Sequence, residues 1–226
     1  MHDFLYGLMP NVVDRFSDFL TAGLETLQML AWSGVYIFIA GMFLGIVITV
    51  AKPGGIMENK IIYQVIDKLI NLFRSIPFII LLTALMPLSR AIMGTAIFVR
   101  GAIVPLVFGT VPFFARQIEA ALAQTDYGLI EAALSMGDSP IKIIFRVYLK
   151  ESIPQIARST TITIISLIGL TAMAGAVGAG GLGDFAIRYG HDRNMTDITW
   201  LVVIVLVIGV SIIQGIGEYI VRKTRH

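Results

Sequence analysis

Three long runs of the sequence contain no acidic or basic residue, and they constrain the fold more than any other feature. The runs cover residues 31–51, 159–183 and 198–217. An α-helix needs about 20 consecutive, mostly apolar residues to cross the hydrocarbon core of a bilayer. With 56% hydrophobic and only 14% charged residues, the composition is also too apolar for a soluble domain of this size. The sequence therefore predicts an integral membrane protein.

Two weaker apolar stretches predict further spans. One covers residues 69–85 and contains Arg74, and the other lies between Arg100 and Arg116. We find no internal repeat and no linker, so residues 1–226 are predicted to form one all-α domain. The five predicted spans cover residues 24–51, 66–86, 99–122, 157–180 and 198–220, each to within a few residues.

Basic residues predict the orientation of the chain, because Lys and Arg accumulate in cytoplasmic flanks. If the N-terminus is outside, ten basic residues lie on the inner side and five on the outer side. The inner ten are Lys52, Lys60, Lys68, Lys142, Arg146, Lys150, Arg158, Arg222, Lys223 and Arg225, and the outer five are Arg15, Arg90, Arg100, Arg188 and Arg193. We therefore expect a multi-pass protein of the bacterial cytoplasmic membrane with its N-terminus outside and its C-terminus inside.

The first 20 residues leave two structures open. Apolar residues recur there every four positions, opposite two acidic residues, as in an amphipathic helix at the membrane interface. The apolar residues are Phe4, Leu8, Val12, Phe16 and Leu20, and the acidic residues are Asp14 and Asp18. The alternative is a plain extension of the first span.

The longest stretch outside the predicted spans, residues 126–156, is predicted to form a helix, a turn and a second helix on the cytoplasmic side. Residues 131–136 favour a helix, and Gly137 suits the left-handed conformation at its C-terminus. Asp138 or Ser139 can cap a second helix that begins at Pro140.

In this second helix, apolar residues at helical spacing form one face and basic residues form a stripe. The apolar residues are Ile141, Ile144, Phe145 and Tyr148, and the basic residues are Lys142, Arg146 and Lys150. So short an apolar face needs a partner, which is either another part of the chain, the lipid headgroups or another protein.

The order Glu131-Ala132-Ala133, three residues, Gly137 and then an apolar stretch resembles the coupling-loop signature of ABC importer permeases. Three other stretches resemble the methionine-uptake permeases in particular. They are NLFRSIPFIILL at 71–82, VPL at 104–106 with PFFAR at 112–116, and GAVGAGGLG at 175–183. The resemblance runs from about Glu25 to the C-terminus. Lys150 departs from it, because the family usually has proline there, and this leaves the end of the second helix open.

The resemblance implies a type I ABC importer permease fold, with five transmembrane helices and a cytoplasmic coupling-helix loop. The implied function is to form the translocation pathway for methionine, in its D or L form. The implied partners are a second copy of the chain, two cytoplasmic ATPase subunits, an extracytoplasmic binding protein or lipoprotein, and membrane lipid, with no nucleic acid. ATP and Mg²⁺ would be bound by the ATPase, so the chain itself would be no enzyme. The sequence also lacks the G-x-x-x-x-G-K-[ST] loop that cradles phosphates.

By the same resemblance, contacts with the ATPase are assigned to one set of loop residues. They are Glu131, Ala132, Ala133, Gly137, Ser139, Pro140, Ile141, Ile144, Phe145 and Tyr148. Small Ala132 and Ala133 would allow close approach, Gly137 would set the bend, and Glu131 would supply a polar contact.

A second set of residues is assigned to the translocation pathway or its gate. They are Arg74, Ser75, Pro77, Met173, Gly178, Gly180 and Gly181. Arg74 is charged within a predicted span, so it either faces protein or water or extends to the interface. By the resemblance, the part of the fold around Met173 lines the pathway near a constriction, so Met173 either gates the pathway or makes ordinary core or lipid contacts. Pro77 is expected to kink the second span, as Pro105 and Pro112 are expected to kink the third.

The glycines at 178–183 match the dinucleotide-binding pattern G-x-G-x-x-G, but that motif requires a preceding strand. Here the glycines end an apolar run, so two other interpretations stay open. They allow either close packing of the helix end or a lining for the outer mouth of the pathway.

No metal site is predicted, since cysteine is absent and His2, His191 and His226 are far apart in the sequence. Other transport classes are less well matched. An ion-coupled secondary carrier usually has ionisable residues and broken helices at the midplane, often in repeated halves. A channel usually has rings of carboxylates or a filter sequence. Among importers, a permease for betaine or another amino acid is the alternative.

Overall fold

The computed structural model describes residues 9–224, and its regular structure is entirely helical over this range. The α-helices, in chain order, are α1 (Pro10–Asp14), α2 (Phe16–Ala51), α3 (Lys60–Ser75), α4 (Phe78–Ala84), α5 (Met86–Met93), α6 (Phe98–Leu122), α7 (Tyr127–Ser135), α8 (Pro140–Ile143), α9 (Leu149–Glu151), α10 (Ile153–Ala174), α11 (Gly181–Phe185) and α12 (Thr196–Thr224). Wider π-helical turns cover Ile144–Tyr148, Gly175–Ala179 and Ala186–His191.

Four helical segments within the described residues are long and apolar enough to cross a membrane. They are Phe16–Ala51, Phe98–Leu122, Ile153–Ala179 and Thr196–Thr224. All four overlap predicted spans and begin before the predicted residues, most clearly the first, at Phe16 instead of residue 24, and the third, at Ile153 instead of residue 157. Residues 16–24 therefore extend the first span. Only Arg15 separates α1 from α2, while the predicted positions Phe4 and Leu8 lie outside the described residues.

The second predicted span, residues 66–86, is two helices rather than one. Proline has no N–H and disfavours a helical conformation in the residue before it. Accordingly α3 ends at Ser75, Ile76 is extended at φ −88° and ψ 123°, and Pro77 precedes α4. Pro105 and Pro112 differ from Pro77, because α6 continues through both positions.

The chain divides into two compact units, and each of the four long segments contributes to both. The first unit comprises Met1–Val35, Pro77–Val107 and Ile164–Ile213. In it, Val12 of α1 is buried with Phe185 and Ile198, and the Asn11 backbone and side chain both donate to the Asp197 carboxylate at 3.0 Å. These contacts hold α1 against protein.

The second unit comprises Tyr36–Ile76, Phe108–Thr163 and Gln214–His226. Its core includes Ile48, Ile70 and Ala115, from α2, α3 and α6. A Cβ on Gly45 would lie 2.6 Å from the Ile118 Cβ, so α2 approaches α6 too closely for any larger residue there. Small residues allow membrane helices to pack backbone against backbone in this way.

Cysteine labelling tests whether the broken pair α3 and α4 crosses the membrane. The chain has no cysteine, so single cysteines can be introduced at the exposed positions Met57 and Ile92. With five spans and the N-terminus outside, we expect a membrane-impermeant maleimide to label Ile92→Cys in intact spheroplasts, and Met57→Cys only after permeabilisation. Labelling of both from the same side would show that α3 and α4 do not cross.

Candidate functional sites

The segment between α6 and α10, residues 126–152, is a helical loop whose ends are capped by its own side chains. The Asp126 carboxylate accepts a hydrogen bond from the Gly128 N–H at 2.8 Å at the start of α7. Gly137 is left-handed at φ 79°, and Asp138 N–H donates to the Ala133 carbonyl at 3.1 Å. Ser139 caps α8, with Pro140 as its first residue. The predicted turn is confirmed, although α7 begins earlier, at Tyr127.

The predicted apolar face of the second helix is divided between solvent and protein. Ile141 and Phe145 are 65% and 64% exposed, whereas Tyr148 is only 6% exposed and Ile144 is half-buried. The prediction of a single face was wrong because Ile144–Tyr148 is a π-helical turn. A π turn holds more residues than an α turn, so later side chains are rotated around the axis. Burial raises the pKa of the Tyr148 phenol, and so does the nearby Tyr127.

The two alanines of the loop signature also point in different directions. Ala132 and Glu131 are exposed, but Ala133 is 2% exposed and packs inside the chain with Ile130. Of this pair, only Ala132 is available to a partner. Further exposed apolar side chains of the loop were not assigned from the sequence, and they are Tyr127, Leu129, Leu134 and Met136. Their signal was their apolar character, since Tyr127 and Leu129 lie just before the helix predicted over residues 131–136, and Leu134 and Met136 lie within it.

The structure also fixes where the loop ends. α9 ends at Glu151, and buried Ser152 donates a hydrogen bond to the Ala121 carbonyl of α6 at 3.3 Å. The hydroxyl groups of Ser152 and Thr125 lie 3.1 Å apart. Pro154 is the second residue of α10, where its missing N–H leaves no bond unmade. Residues 153–156 of the predicted loop therefore belong to α10.

Arg116, at the edge of a predicted span, is paired on both sides. Its guanidinium donates to the carboxylates of Glu119, at 2.6 Å, and Asp67, and to the Asn71 side chain at 3.1 Å. A charge within a membrane helix is costly unless it is paired, so this network fastens α3 to α6. Sequence reasoning gave no role to Asp67 or Glu119. Their signal was the need of Arg116 for a carboxylate.

The pathway candidates near Pro77 lie at the end of α3. Arg74 is exposed in the last helical turn, where a cation is favoured by the helix dipole. The Ser75 hydroxyl donates to the Leu72 carbonyl at 2.7 Å, and Pro77 follows in the break. Met173, in α10, is 41% exposed.

The glycines after α10 serve two different needs. All three assigned glycines have positive φ, at 91°, 79° and 82° for Gly178, Gly180 and Gly181. A Cβ on Gly180 would lie 2.5 Å from a Glu25 carboxylate oxygen, and one on Gly181 would lie 2.8 Å from the Thr26 hydroxyl. Close packing therefore explains Gly180 and Gly181. Gly178 is exposed, and a Cβ there would make only an ordinary contact of 3.9 Å with the Ile97 side chain, so only its conformation calls for glycine.

Two side chains of α2 complete the glycine segment. The Glu25 carboxylate accepts from the Gly181 N–H at 2.7 Å, and the Thr26 hydroxyl accepts from the Leu182 N–H at 2.8 Å. The Thr26 hydroxyl in turn donates to the Ala22 carbonyl at 3.1 Å. These bonds replace the helical partners that the backbone loses at the break. Sequence analysis had identified Glu25 only as the start of the resemblance and had given Thr26 no role.

Fold and loop together define a polytopic α-helical membrane protein with a capped helical loop between two of its long helices. Residues 37–226 match the family of binding-protein-dependent transport system inner membrane components. The chain belongs to this family, which also carries the type I importer permease fold predicted above.

Its relatives and solved neighbours are similar over most of their length. The probable D-methionine transport system permease protein MetI of Vibrio cholerae is 44% identical over 207 residues, 92% of each chain. The protein of the same name from Pasteurella multocida is 42% identical over 90% of this chain and 94% of its own. A chain of the inward-facing MetNI methionine ABC transporter superposes with a TM-score of 0.89 at 43% identity, covering 92% of this chain and 97% of that one.

Substitution of Gly180 tests the packing of the glycine segment. Gly180→Ala would place a methyl group against Glu25 in a conformation, φ 79° and ψ −161°, that is open almost only to glycine. We expect a loss of about 1–3 kcal/mol of stability, measured as a lower Tm of the purified protein in detergent. Gly209→Ala is the matched control, because a Cβ there meets nothing within 4 Å. Equal Tm values for both variants would contradict this packing.

Proposed function

We propose that the chain is the membrane-embedded permease subunit of an ATP-driven importer and forms the pathway for methionine, in the D or L form. The observation that carries this proposal is the similarity to D-methionine permeases over nine-tenths of the chain. ATP and Mg²⁺ would be bound by a separate ATPase. An extracytoplasmic binding protein would deliver the solute to the outer side, where the N-terminus lies.

The helical loop is the proposed docking surface for the ATPase. It presents exposed Ile141 and Phe145, with Glu131 and Ala132 on the preceding helix. Large exposed apolar side chains that cluster mark contact sites, because their burial releases free energy. Exposed Arg146 adds positive charge to the surface, whereas Lys142 is already paired with Asp138. The partner groove is therefore expected to be apolar with an acidic rim.

The way the loop is attached supports a route for the coupling of ATPase closure to the spans. The loop passes directly into α10 and is bonded to α6 through Ser152 and Ala121. The Arg116 network then connects α6 to α3. A displacement of the loop is thereby passed to three helices. In the proposed cycle, ATPase closure moves two such loops together, the pathway opens outward, and hydrolysis resets it.

The pathway itself is proposed to form between two copies of the chain. One copy has few charged residues within its long helices, too few to line a polar route alone. A symmetric dimer of two copies would place the same face of each copy on opposite sides of one translocation pathway. Arg74, Ser75, Pro77, Gly178 and half-exposed Met173 are the residues proposed to line it, whereas Gly180 and Gly181 are used in packing.

Uptake into proteoliposomes tests the function. We expect vesicles that contain the chain, its ATPase and the cognate binding protein to accumulate radiolabelled methionine only with internal ATP. Excess unlabelled methionine should compete, whereas betaine and other amino acids should not. Uptake driven by an ion gradient without the ATPase would instead indicate a secondary carrier, and competition by betaine alone would change the substrate.

A matched pair of substitutions tests the docking surface by co-purification of the ATPase. Phe145→Ala should reduce co-purification of the ATPase about tenfold or more, as expected when a central apolar contact is truncated. Phe43→Ala is the control, since Phe43 lies in α2 and is 65% exposed, close to the 64% of Phe145. If both variants retain the ATPase equally, the loop is not the docking surface.

Substitution of Met173 tests the proposed gate. Met173→Ala shortens a half-exposed side chain, so a gate residue at this position should leave a gap when truncated. We expect either slower ATP-dependent methionine uptake or a leak of methionine that needs no ATP. Uptake and leak equal to those of the unsubstituted chain would remove Met173 from the pathway.

A further inference from the structure

A cavity of about 700 Å³ opens in the second unit, where the helical loop meets the ends of three long helices. Its walls come from the C-terminal part of α6, the last turn of the loop, the start of α10 and the end of α12. Since α6, α10 and α12 are candidate spans, their ends lie at the depth of the lipid headgroups.

Among the described residues, three cations line this cavity, each from a different helix. They are Lys150 at the end of the loop, Arg158 in α10 and Lys223 in α12. Among residues 9–224, Glu151 is the single carboxylate in the lining, so the described walls carry an excess of positive charge. Within residues 9–224, none of these cations forms an ion pair. An anion in the cavity would therefore meet several donors that have no partner among the described residues.

The remaining lining is part apolar and part uncharged polar. Ile153, Ile162 and Val221 provide hydrocarbon surface beside the cations. The side-chain oxygen of Gln155 is buried and has no hydrogen-bond donor among the described residues. A small inorganic anion would bind the cations but would contact neither the apolar wall nor the Gln155 oxygen. A molecule with an anionic group, a hydroxyl and a hydrocarbon chain would match all three kinds of surface.

We propose that this cavity binds the headgroup of an anionic phospholipid, with its phosphate between Lys150, Arg158 and Lys223. Arg and Lys are the side chains that recognise phosphate, and basic pockets between membrane helices on the cytoplasmic side bind acidic headgroups. A glycerol headgroup would supply hydroxyl donors, and the first acyl carbons would contact the apolar wall. The bound lipid would fasten the end of the helical loop to α10 and α12.

This site gives a role to Lys150, the loop residue that departs from the family resemblance described above. Proline at position 150 could contribute no charge, whereas Lys150 supplies one of the three cations. The inference does not rest on the solute that is carried. Its test uses no transport measurement, so its failure would leave the proposed function untouched.

Native mass spectrometry of the purified full-length chain tests the proposal. Phosphatidylglycerol and phosphatidylcholine with identical acyl chains are added in detergent, and the bound fraction of each is measured. We expect the unsubstituted chain to bind phosphatidylglycerol at least tenfold better. The triple substitution Lys150→Gln, Arg158→Gln and Lys223→Gln should remove this preference. Arg222→Gln should retain it, because Arg222 is not part of the lining and is paired with Glu218.

A control with inorganic phosphate distinguishes a site for a phospholipid headgroup from a site for free phosphate. If 10 mM phosphate displaces phosphatidylglycerol and protects the cations from chemical modification by itself, the cavity is a small-anion site and the lipid proposal is wrong. Equal binding of the two lipids by the unsubstituted chain also overturns it, and this measurement needs no variant. So does an unchanged preference in the triple variant, whose folding is checked by its Tm. Single Lys223→Gln replaces the triple variant if that one unfolds.

Discussion

Backbone N–H and C=O groups inside a bilayer must find their partners within the protein, because the hydrocarbon offers none. Regular helices meet this demand by themselves, and four long segments within residues 9–224 do so. The breaks meet it with side chains. At the glycine segment, Glu25 and Thr26 accept from the amides of Gly181 and Leu182. A carboxylate of α2 is thus built into the packing of a segment 156 residues away in the sequence.

Side chains also satisfy backbone groups where the helical loop is attached. Its helices are closed by Asp126, Gly137 and Ser139, and its end is bonded to α6 through Ser152. The loop is therefore a preformed element, with Ile143 and Tyr148 turned into the chain and Ile141 and Phe145 turned out. A preformed surface loses little conformational entropy when it binds a partner, which suits an element proposed to transmit force. The lipid proposed beside Lys150 would stiffen its far end.

Much of this could be read from the sequence, and the residues show why the rest could not. Gly137, Ser139 and Pro140 were predictable because their roles depend on local conformation alone. The division of Ala132 from Ala133, and of Phe145 from Tyr148, was not predictable. It depends on a π turn and on which side of each helix meets the chain. The break at Ile76 was visible only as a proline signal, and its extent required the structure.

The sequence by itself determined that the protein lies in a membrane, where its apolar segments are, and how the turn of the loop is capped. It also determined a family resemblance that the similarity to known proteins supports. These features depend on hydropathy, local conformation and residue order, and each of them can be judged from residues that are close together in the sequence. Tertiary structure alone decided the pairing of Arg116 with Asp67, the capping of Gly181 by Glu25 and the basic cavity of Lys150, Arg158 and Lys223. Each joins groups that are far apart in the chain. Hydropathy marks a residue as costly in lipid, but only packing determines which distant residue offsets that cost.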